Sequence, residues 1–298
     1  MTGVVTGDAA AVAEGLTEIR LGDPGAVARA AAGRRRRASP VNDSGRMFIV
    51  AADHPARGSL AIGNRPMAMA DRAELLTRLR TALAHPNVTG VLAAADVIED
   101  LLLLGALDDK LAFGTMNRGG LAGSAFEIDD RFTAYDASGI AASHLDGGKM
   151  LLRLDPTDPA SARTLESCAR AVSELAARRR LAMIEPFMST RVDGRVRNDL
   201  SPDAVIRAMS VAAGLGTTSA YTWLKVPPVP DMARVLTATT LPTLVLGGEP
   251  DDDSGAVYER WRTALKTPGV RGMVAGRALL YPPDGDVAGI VDRIARLC

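Results

Sequence analysis

The sequence has few cysteines, no net charge and no long apolar run. Its 298 residues include two cysteines, Cys168 and Cys298. They are too few for a disulfide framework or a cysteine metal site, and they indicate a reducing compartment. Lys and Arg number 35, as do Asp and Glu, and this balance argues against a broad nucleic-acid footprint. No segment approaches the ~20 apolar residues of a membrane span or the apolar core of a signal peptide. We therefore expect a cytoplasmic protein without nucleic-acid or membrane partners.

The N-terminal part of the chain differs in composition from the rest. Residues 1–45 are rich in alanine and predict two helices, at 8–20 and 24–37, followed by a polar linker. Four consecutive arginines, Arg34 to Arg37, end the second helix. We interpret them as a solvated helix end rather than a nucleic-acid or membrane patch. The sequence thus divides into an N-terminal helical extension, 1–45, and a larger domain, 46–298.

Eight short apolar runs alternate with helical segments from residue 47 onward. The runs lie at residues 47–52, 88–94, 110–116, 148–154, 181–187, 220–226, 243–246 and 270–275. Because they are continuous rather than alternating in polarity, they are typical of strands covered on both faces. Strict β and α alternation with this count predicts an α/β protein, a closed (β/α)8 TIM barrel. An open doubly wound sheet would need a Gly-rich phosphate turn, and none follows the first run.

TIM barrels hold their active sites at the carboxyl ends of the strands. The polar residues at the predicted strand ends are Asp53, Lys149, Arg153, Glu185, Lys225, Gly247-Gly248 and Gly276-Arg277. Two of them are lysines, although the chain contains only four lysines in all. Arg cannot lose its proton whereas Lys can, so a lysine kept at a buried strand end needs a chemical reason.

Lys225 ends an apolar run that also contains Tyr221 and Trp223. Side chains alternate along a strand, so the three share one face. Burial in such a setting lowers the pKa of a lysine, and the neutral amine can attack a carbonyl to form a Schiff base. The alternative is a strand-end lysine that pairs with a carboxylate.

Four further charged residues complete the predicted mouth. Lys149, a second cation near Lys225, would lower the pKa of Lys225 further or hold a substrate oxygen. Arg153 shares a face with Lys149, and we expect it to bind the substrate or its phosphate. Glu185 is placed to transfer protons, and Asp53 to orient substrate hydroxyls. The structural alternatives are a buried Lys–Asp pair for Lys149, and neutralisation of a lysine by Glu185 or Asp53.

The last two strands end in glycine turns. Loops at these positions commonly bind phosphate in TIM barrels. Gly247, Gly248 and Gly276 would supply backbone donors, and Arg277 a forked, charge-assisted contact. The alternative is that these glycines only allow helix entry. The histidines show no spacing that resembles a metal site, and we expect neither a metal nor another cofactor.

Taken in order, these segments resemble the class I aldolases of the deoxyribose-phosphate aldolase and tagatose-bisphosphate aldolase group. The resemblance covers residues 47–297 and rests on "GGKMLLRLDP", "IEPFM" and "LKVPPV". It implies that Lys225 forms the Schiff base, that Glu185 transfers protons, and that Lys149 and Asp53 position the substrate. It also implies phosphate binding at "LVLGGEP" and "GMVAGRALLYP". Two segments depart from the group: residues 114–131 are long, and "ADHPARG" follows its pattern only partly.

The sequence is also similar to an actinobacterial subgroup of such barrels associated with sugar or inositol breakdown. This similarity implies a small phosphorylated sugar or sugar acid as substrate. One such compound is 5-dehydro-2-deoxygluconate 6-phosphate, split into dihydroxyacetone phosphate and malonate semialdehyde. Cleavage of deoxyribose phosphate or a ketose bisphosphate, acyl or thiolytic transfer, and a non-catalytic barrel that senses a sugar phosphate stay open. The resemblance and the N-terminal helices also lead us to expect a homo-oligomer.

Overall fold

Eight strands pair in parallel and close into a ring in this computed structural model, which describes residues 9–117, 121–248 and 254–298. The strands are β1 (Met47–Ala52), β2 (Gly90–Ala93), β3 (Leu111–Thr115), β4 (Gly147–Leu154), β5 (Leu181–Val192), β6 (Arg195–Asn198), β7 (Thr222–Val226), β8 (Thr243–Leu246) and β9 (Val270–Ala275). All but β6 belong to the ring, which the β4–β5 and β1–β9 pairings close. The predicted (β/α)8 TIM barrel is confirmed.

Helices connect the strands and cover the outside of the ring. In the described residues they are α1 (Ala9–Gly22), α2 (Ala26–Gly33), α3 (Arg72–Ala84), α4 (Ala95–Leu103), α5 (Ala137–Ala142), α6 (Ala160–Ala177), α7 (Pro202–Ala213), α8 (Met232–Leu236), α9 (Ser254–Lys266), α10 (Arg277–Leu280) and α11 (Val287–Ala295). Several begin where Asp or Ser accepts a first-turn N–H, as Asp71 and Ser201 do. No helix in the described ranges is long and apolar enough to cross a membrane.

The strand side chains alternate between two apolar clusters. One fills the inside of the barrel with residues from six strands: Met47, Ile49, Ala51, Leu92, Leu111, Phe113, Met183, Leu244 and Val274. The intervening residues, such as Phe48 and Val50, pack in the larger cluster beneath the helices. Each strand of the ring is therefore buried on both faces, which explains the continuous apolar runs.

Arg34, the first of the four arginines after α2, is buried, so the interpretation of the run as a solvated helix end was wrong for this residue. Its side chain is 3% exposed, and its Nη2 lies 2.7 Å from Oδ2 of Asp146. Arg34 also donates hydrogen bonds to the carbonyls of Lys110 and His144, at the amino end of the barrel. Arg36 pairs with the other oxygen of Asp146, whereas Arg35 is exposed. A partner more than a hundred residues away leaves no local signal in the sequence.

The fifth strand is longer than its apolar run indicates. β5 continues to Val192 and forms a hairpin with β6, whose pairing runs from Ser189 with Asn198 to Val192 with Arg195. The turn is Asp193-Gly194, and both residues have positive φ, 50° and 75°. Asp-Gly between two extended segments is a hairpin signal, so the sequence did contain this information. The hairpin extends the barrel at its carboxyl end, beside the mouth.

Candidate active site

Two lysines and two carboxylates form a continuous chain of ion pairs at the mouth of the barrel. Lys149 Nζ lies 3.1 Å from Asp53 Oδ2 and 2.6 Å from Glu185 Oε2. The other oxygen of Glu185, Oε1, lies 2.9 Å from Lys225 Nζ. Glu185 therefore bridges the two amines. All four side chains are buried, so the charges interact in a medium that screens them weakly.

The register of the strands explains why these four side chains meet. Asp53 follows β1 in the same alternation as Met47, Ile49 and Ala51, all of which face inward. β4, β5 and β7 are consecutive around the ring. Because parallel strands all end at one edge of a sheet, residues near their carboxyl ends converge. The structure thus brings together the four residues that the sequence singled out.

The same contacts include the structural alternatives considered for these residues. Lys149 does form a buried pair with Asp53, and Glu185 does neutralise a lysine. Pairing and catalysis are compatible, because an ion pair also fixes the position and the protonation of its members. Protonation is what separates the two lysines.

The two lysines differ in the direction of their pKa shifts. Burial lowers the pKa of Lys225, and the charge of Lys149 lowers it further, so attraction by Glu185 does not restore the usual value. Burial also acts to lower the pKa of Lys149, but Asp53 and Glu185 together outweigh it and the pKa is raised. Burial acts to raise the pKa of Glu185, yet the two ammonium groups hold it at about 2. Lys225 is therefore the amine that loses its proton more readily, beside an ionised carboxylate.

His54 lies between this chain of ion pairs and the last glycine turn. Burial, together with the charges of Arg277, Lys225 and Lys149, lowers its pKa to about 3, although Asp53 opposes the shift. The imidazole is therefore neutral. The sequence analysis assigned no role to His54, although its position next to Asp53 was a signal. In the described ranges no three His, Cys, Asp or Glu side chains are grouped as metal ligands.

The two glycine turns lie side by side at the ends of β8 and β9. A Cβ at Gly247 would lie 3.4 Å from the backbone nitrogen of Gly276. A Cβ at Gly276 would lie 3.1 Å from both the carbonyl oxygen of Ala51 and Cε1 of His54, so only glycine fits there without displacing a neighbour. Gly248 has a φ of 74°, which glycine adopts without strain.

Arg277 begins α10 directly after the second of these turns. It lies close enough to His54 to affect the pKa of the imidazole. Two residues of the "LVLGGEP" segment, Glu249 and Pro250, lie outside the described ranges. The structure therefore brings Gly247, Gly248, Gly276 and Arg277 to one side of the mouth.

Arg153 lies at the end of β4, on the same face as Lys149. Its Nη1 is 2.6 Å from Oε1 of Glu127, and Nη2 of Arg57 is 3.8 Å from the same oxygen. Arg57 ends the short 3-10 turn Pro55–Arg57 after β1, and Glu127 lies in the long segment after β3. The sequence singled out the two segments, "ADHPARG" and residues 114–131, but not these residues, because nothing local relates two loops that are seventy residues apart.

These features define a (β/α)8 TIM barrel with a buried, charged mouth. The chain belongs to the Cgl0159-like family, whose model matches residues 45–295. It is similar to the crystal structure of Cgl0159 from Corynebacterium glutamicum, with 51% sequence identity, 96% coverage of each chain and a TM-score of 0.92. A search of curated protein sequences gives no match.

More distant structures share the fold. A Schiff base-forming fructose-1,6-bisphosphate aldolase is 17% identical, with 86% of this chain and 96% of that chain covered and a TM-score of 0.63. A fructose-bisphosphate aldolase from Slackia heliotrinireducens is 13% identical, with 90% and 86% covered and a TM-score of 0.60. At these identities they show the shared barrel fold alone, and the aldolase activity is a prediction.

Proposed function

We propose that this protein is a metal-independent class I aldolase that cleaves a carbon–carbon bond in a phosphorylated sugar or sugar acid. The observation that carries the proposal is the bridge made by Glu185, which holds one lysine of raised pKa and one of lowered pKa. Pairs of titratable side chains whose environments push their pKa values apart are typical of acid–base and nucleophilic centres. A purely structural ion-pair network has no need for such a difference.

Lys225 is the nucleophile in this proposal. Its neutral amine adds to the ketone carbon of the substrate, and loss of water from the carbinolamine gives an iminium ion. Glu185 takes the proton from the hydroxyl next to the breaking bond. The bonding electrons then flow to the iminium, so that an aldehyde leaves and an enamine remains. Protonation of the enamine carbon and hydrolysis of the imine release the second product and restore the amine.

Lys149 and Asp53 position the reactants. Lys149 remains protonated, and its 2.6 Å contact keeps Glu185 ionised and fixed before the proton transfer. Asp53 holds Lys149 from the opposite side. Once substrate is bound, the ammonium of Lys149 can also donate a hydrogen bond to a substrate oxygen. Such fixed groups contribute through orientation rather than through a chemical step of their own.

The adjacent glycine turns and Arg277 bind the phosphate. Close packing of Gly247 against Gly276 supports this role, because it leaves backbone rather than side chains at the end of the barrel. Aldolases for fructose 1,6-bisphosphate share the fold, which favours a ketose phosphate. Within that class, 5-dehydro-2-deoxygluconate 6-phosphate is our first candidate substrate. Deoxyribose phosphate and ketose bisphosphates are the alternatives.

The test uses the half-reaction that needs no aldehyde product. In D2O, imine formation followed by reversible enamine formation exchanges a carbon-bound proton of dihydroxyacetone phosphate for deuterium, which NMR detects. We expect exchange by the wild type with EDTA present, none by Lys225→Arg, and unchanged exchange by the control Lys266→Arg. If the wild type exchanged deuterium into acetaldehyde but not into dihydroxyacetone phosphate, a deoxyribose-phosphate aldolase would be favoured. Binding of dihydroxyacetone phosphate with no exchange would contradict the proposal and favour a sensor.

A further inference from the structure

Arg153 and Arg277 lie on opposite sides of the barrel mouth. Around the ring the strands follow the order β1, β2, β3, β4, β5, β7, β8, β9. β4, which carries Arg153, is therefore four strands away from β9, which leads into Arg277. β7, which carries Lys225, lies midway between them, two strands from each. A linear molecule whose carbonyl meets Lys225 can thus extend toward Arg277 at one end and toward Arg153 at the other.

Arg153 belongs to a compact charged cluster with Arg57 and Glu127. One carboxylate oxygen, Oε1 of Glu127, contacts both guanidinium groups, at 2.6 Å and 3.8 Å. The second oxygen accepts the backbone N–H of Gly123, at 3.1 Å. The three side chains are between 9% and 13% exposed. Glu127 therefore draws two like charges together in a largely buried place, which is the arrangement that favours a further anion.

Arg153 has hydrogen-bonding capacity that the cluster does not use. Its contact with Glu127 is made through Nη1. Its Nε–H is buried and has no hydrogen-bond partner among the described residues. Burial and the charge of Arg57 lower the pKa of Arg153, and this lowering outweighs the opposite effects of Glu127 and Asp130. Arg153 therefore keeps a buried donor that a ligand can engage.

The neighbouring carboxylates determine which anion fits. Glu127 contacts the guanidinium directly, and Asp130 is near enough to affect its pKa. Their negative charges offset much of the positive charge of the two guanidinium groups, so charge alone favours a dianion little over a monoanion, and the shape of the anion decides. A planar carboxylate also matches a guanidinium edge with two parallel hydrogen bonds. The cluster therefore favours a carboxylate over a phosphate.

We propose that Arg153 and Arg57, held together by Glu127, form a second anion subsite that binds a carboxylate at the substrate end opposite the phosphate. This inference rests on the proposed aldolase function and narrows its substrate class. The substrate is then a phosphorylated keto acid, and the aldehyde released by cleavage carries the carboxylate. Arg153 and Arg57 bind and orient that aldehyde, and they take no part in the proton transfers.

The test measures carbon–carbon bond formation from dihydroxyacetone phosphate and three acceptor aldehydes with three carbons each. Malonate semialdehyde carries a carboxylate, propanal is neutral, and glyceraldehyde 3-phosphate carries a phosphate. We expect kcat/KM of the wild type to be at least roughly tenfold higher for malonate semialdehyde than for propanal, as one charge-assisted contact provides. Arg153→Gln should lose that preference. Glu127→Gln should shift preference toward glyceraldehyde 3-phosphate.

Borohydride trapping of dihydroxyacetone phosphate on Lys225 separates failure of the subsite from failure of the aldolase. If the adduct forms and the wild type treats malonate semialdehyde and propanal alike, the subsite is wrong and the aldolase stands. A wild-type preference for glyceraldehyde 3-phosphate would overturn the carboxylate assignment. If no adduct forms, both proposals fail. Arg57→Gln provides a second variant should Arg153→Gln not fold. Formation of the Lys225 adduct in either variant shows that its lysine site is correctly folded.

Discussion

Glu185 Oε1 and Lys225 Nζ lie 2.9 Å apart in the buried mouth of the barrel. The contact places the group that accepts a proton beside the group that must give one up before it can attack a carbonyl. Lys149 holds the other oxygen of Glu185. The carboxylate therefore stays ionised whether or not Lys225 carries a proton, and the predictions below depend on this arrangement.

The first prediction concerns pH. Because the pKa of Lys225 is lowered by burial and by Lys149, the neutral amine should be available at lower pH than for an ordinary lysine. The rate of imine formation should rise with pH through that lowered pKa and then level off. Lys149→Met removes one of the two causes, so the rise should move to higher pH. Inactivation by cyanoborohydride with dihydroxyacetone phosphate measures both curves, and a flat profile for the wild type would contradict the assignment.

The second prediction separates proton transfer from imine formation. Glu185→Gln keeps the size of the side chain and removes the base, so deuterium exchange should fall by roughly 10²–10⁴-fold, as expected for loss of a general base. The lysine also loses the carboxylate that raises its pKa, so trapping on Lys225 should persist. Equal loss of exchange and trapping would mean that Glu185 only holds the site together.

The third prediction concerns the glycine turn. In Gly276→Ala the new methyl group would meet the carbonyl oxygen of Ala51 and the ring of His54, both 3.1 Å from the Cβ position. Relief of this contact must move the turn that leads to Arg277, so KM for a phosphorylated substrate should rise roughly tenfold. Gly33→Ala is the matched control, because a Cβ there meets no atom within 4 Å. An unchanged KM for Gly276→Ala would remove this turn from the phosphate site.

The fourth prediction concerns stability at the other end of the barrel. Arg34→Ala removes the buried partner of Asp146 and should lower the free energy of unfolding by about 3 kcal/mol, as loss of one member of a buried pair does. Arg35→Ala is the control, because its ion pair with Asp109 is exposed and should contribute little. Urea denaturation compares the two variants. Similar midpoints for both would show that Arg34 does not stabilise the barrel.

The sequence predicts the barrel and the centre of the mouth for a simple physical reason. Strand side chains alternate with a period of two and parallel strands end at one edge, so Asp53, Lys149, Glu185 and Lys225 could be placed on one surface from their positions alone. What the sequence could not provide is the distance between them. The bridge made by Glu185 depends on how neighbouring strands are staggered.

Other parts of the mouth depend on contacts between distant loops. Arg57 and Glu127 meet only after the segments that follow β1 and β3 fold over the strand ends, and no periodic pattern encodes that meeting. Arg34 is similar, since its partner is in another part of the chain. The β5–β6 hairpin is different, because its Asp193-Gly194 turn was a readable signal.

The most direct test of the account is the site of covalent trapping. The wild type is incubated with dihydroxyacetone phosphate and borohydride, and the added mass is mapped by peptide mass spectrometry. We predict an adduct on Lys225 and none on Lys149, whose raised pKa keeps it protonated. Lys110, with a pKa lowered to about 8 but located away from the mouth, should stay unlabelled. An adduct on Lys149, or no adduct from a folded protein that binds dihydroxyacetone phosphate, would contradict the assignment of Lys225 as the nucleophile.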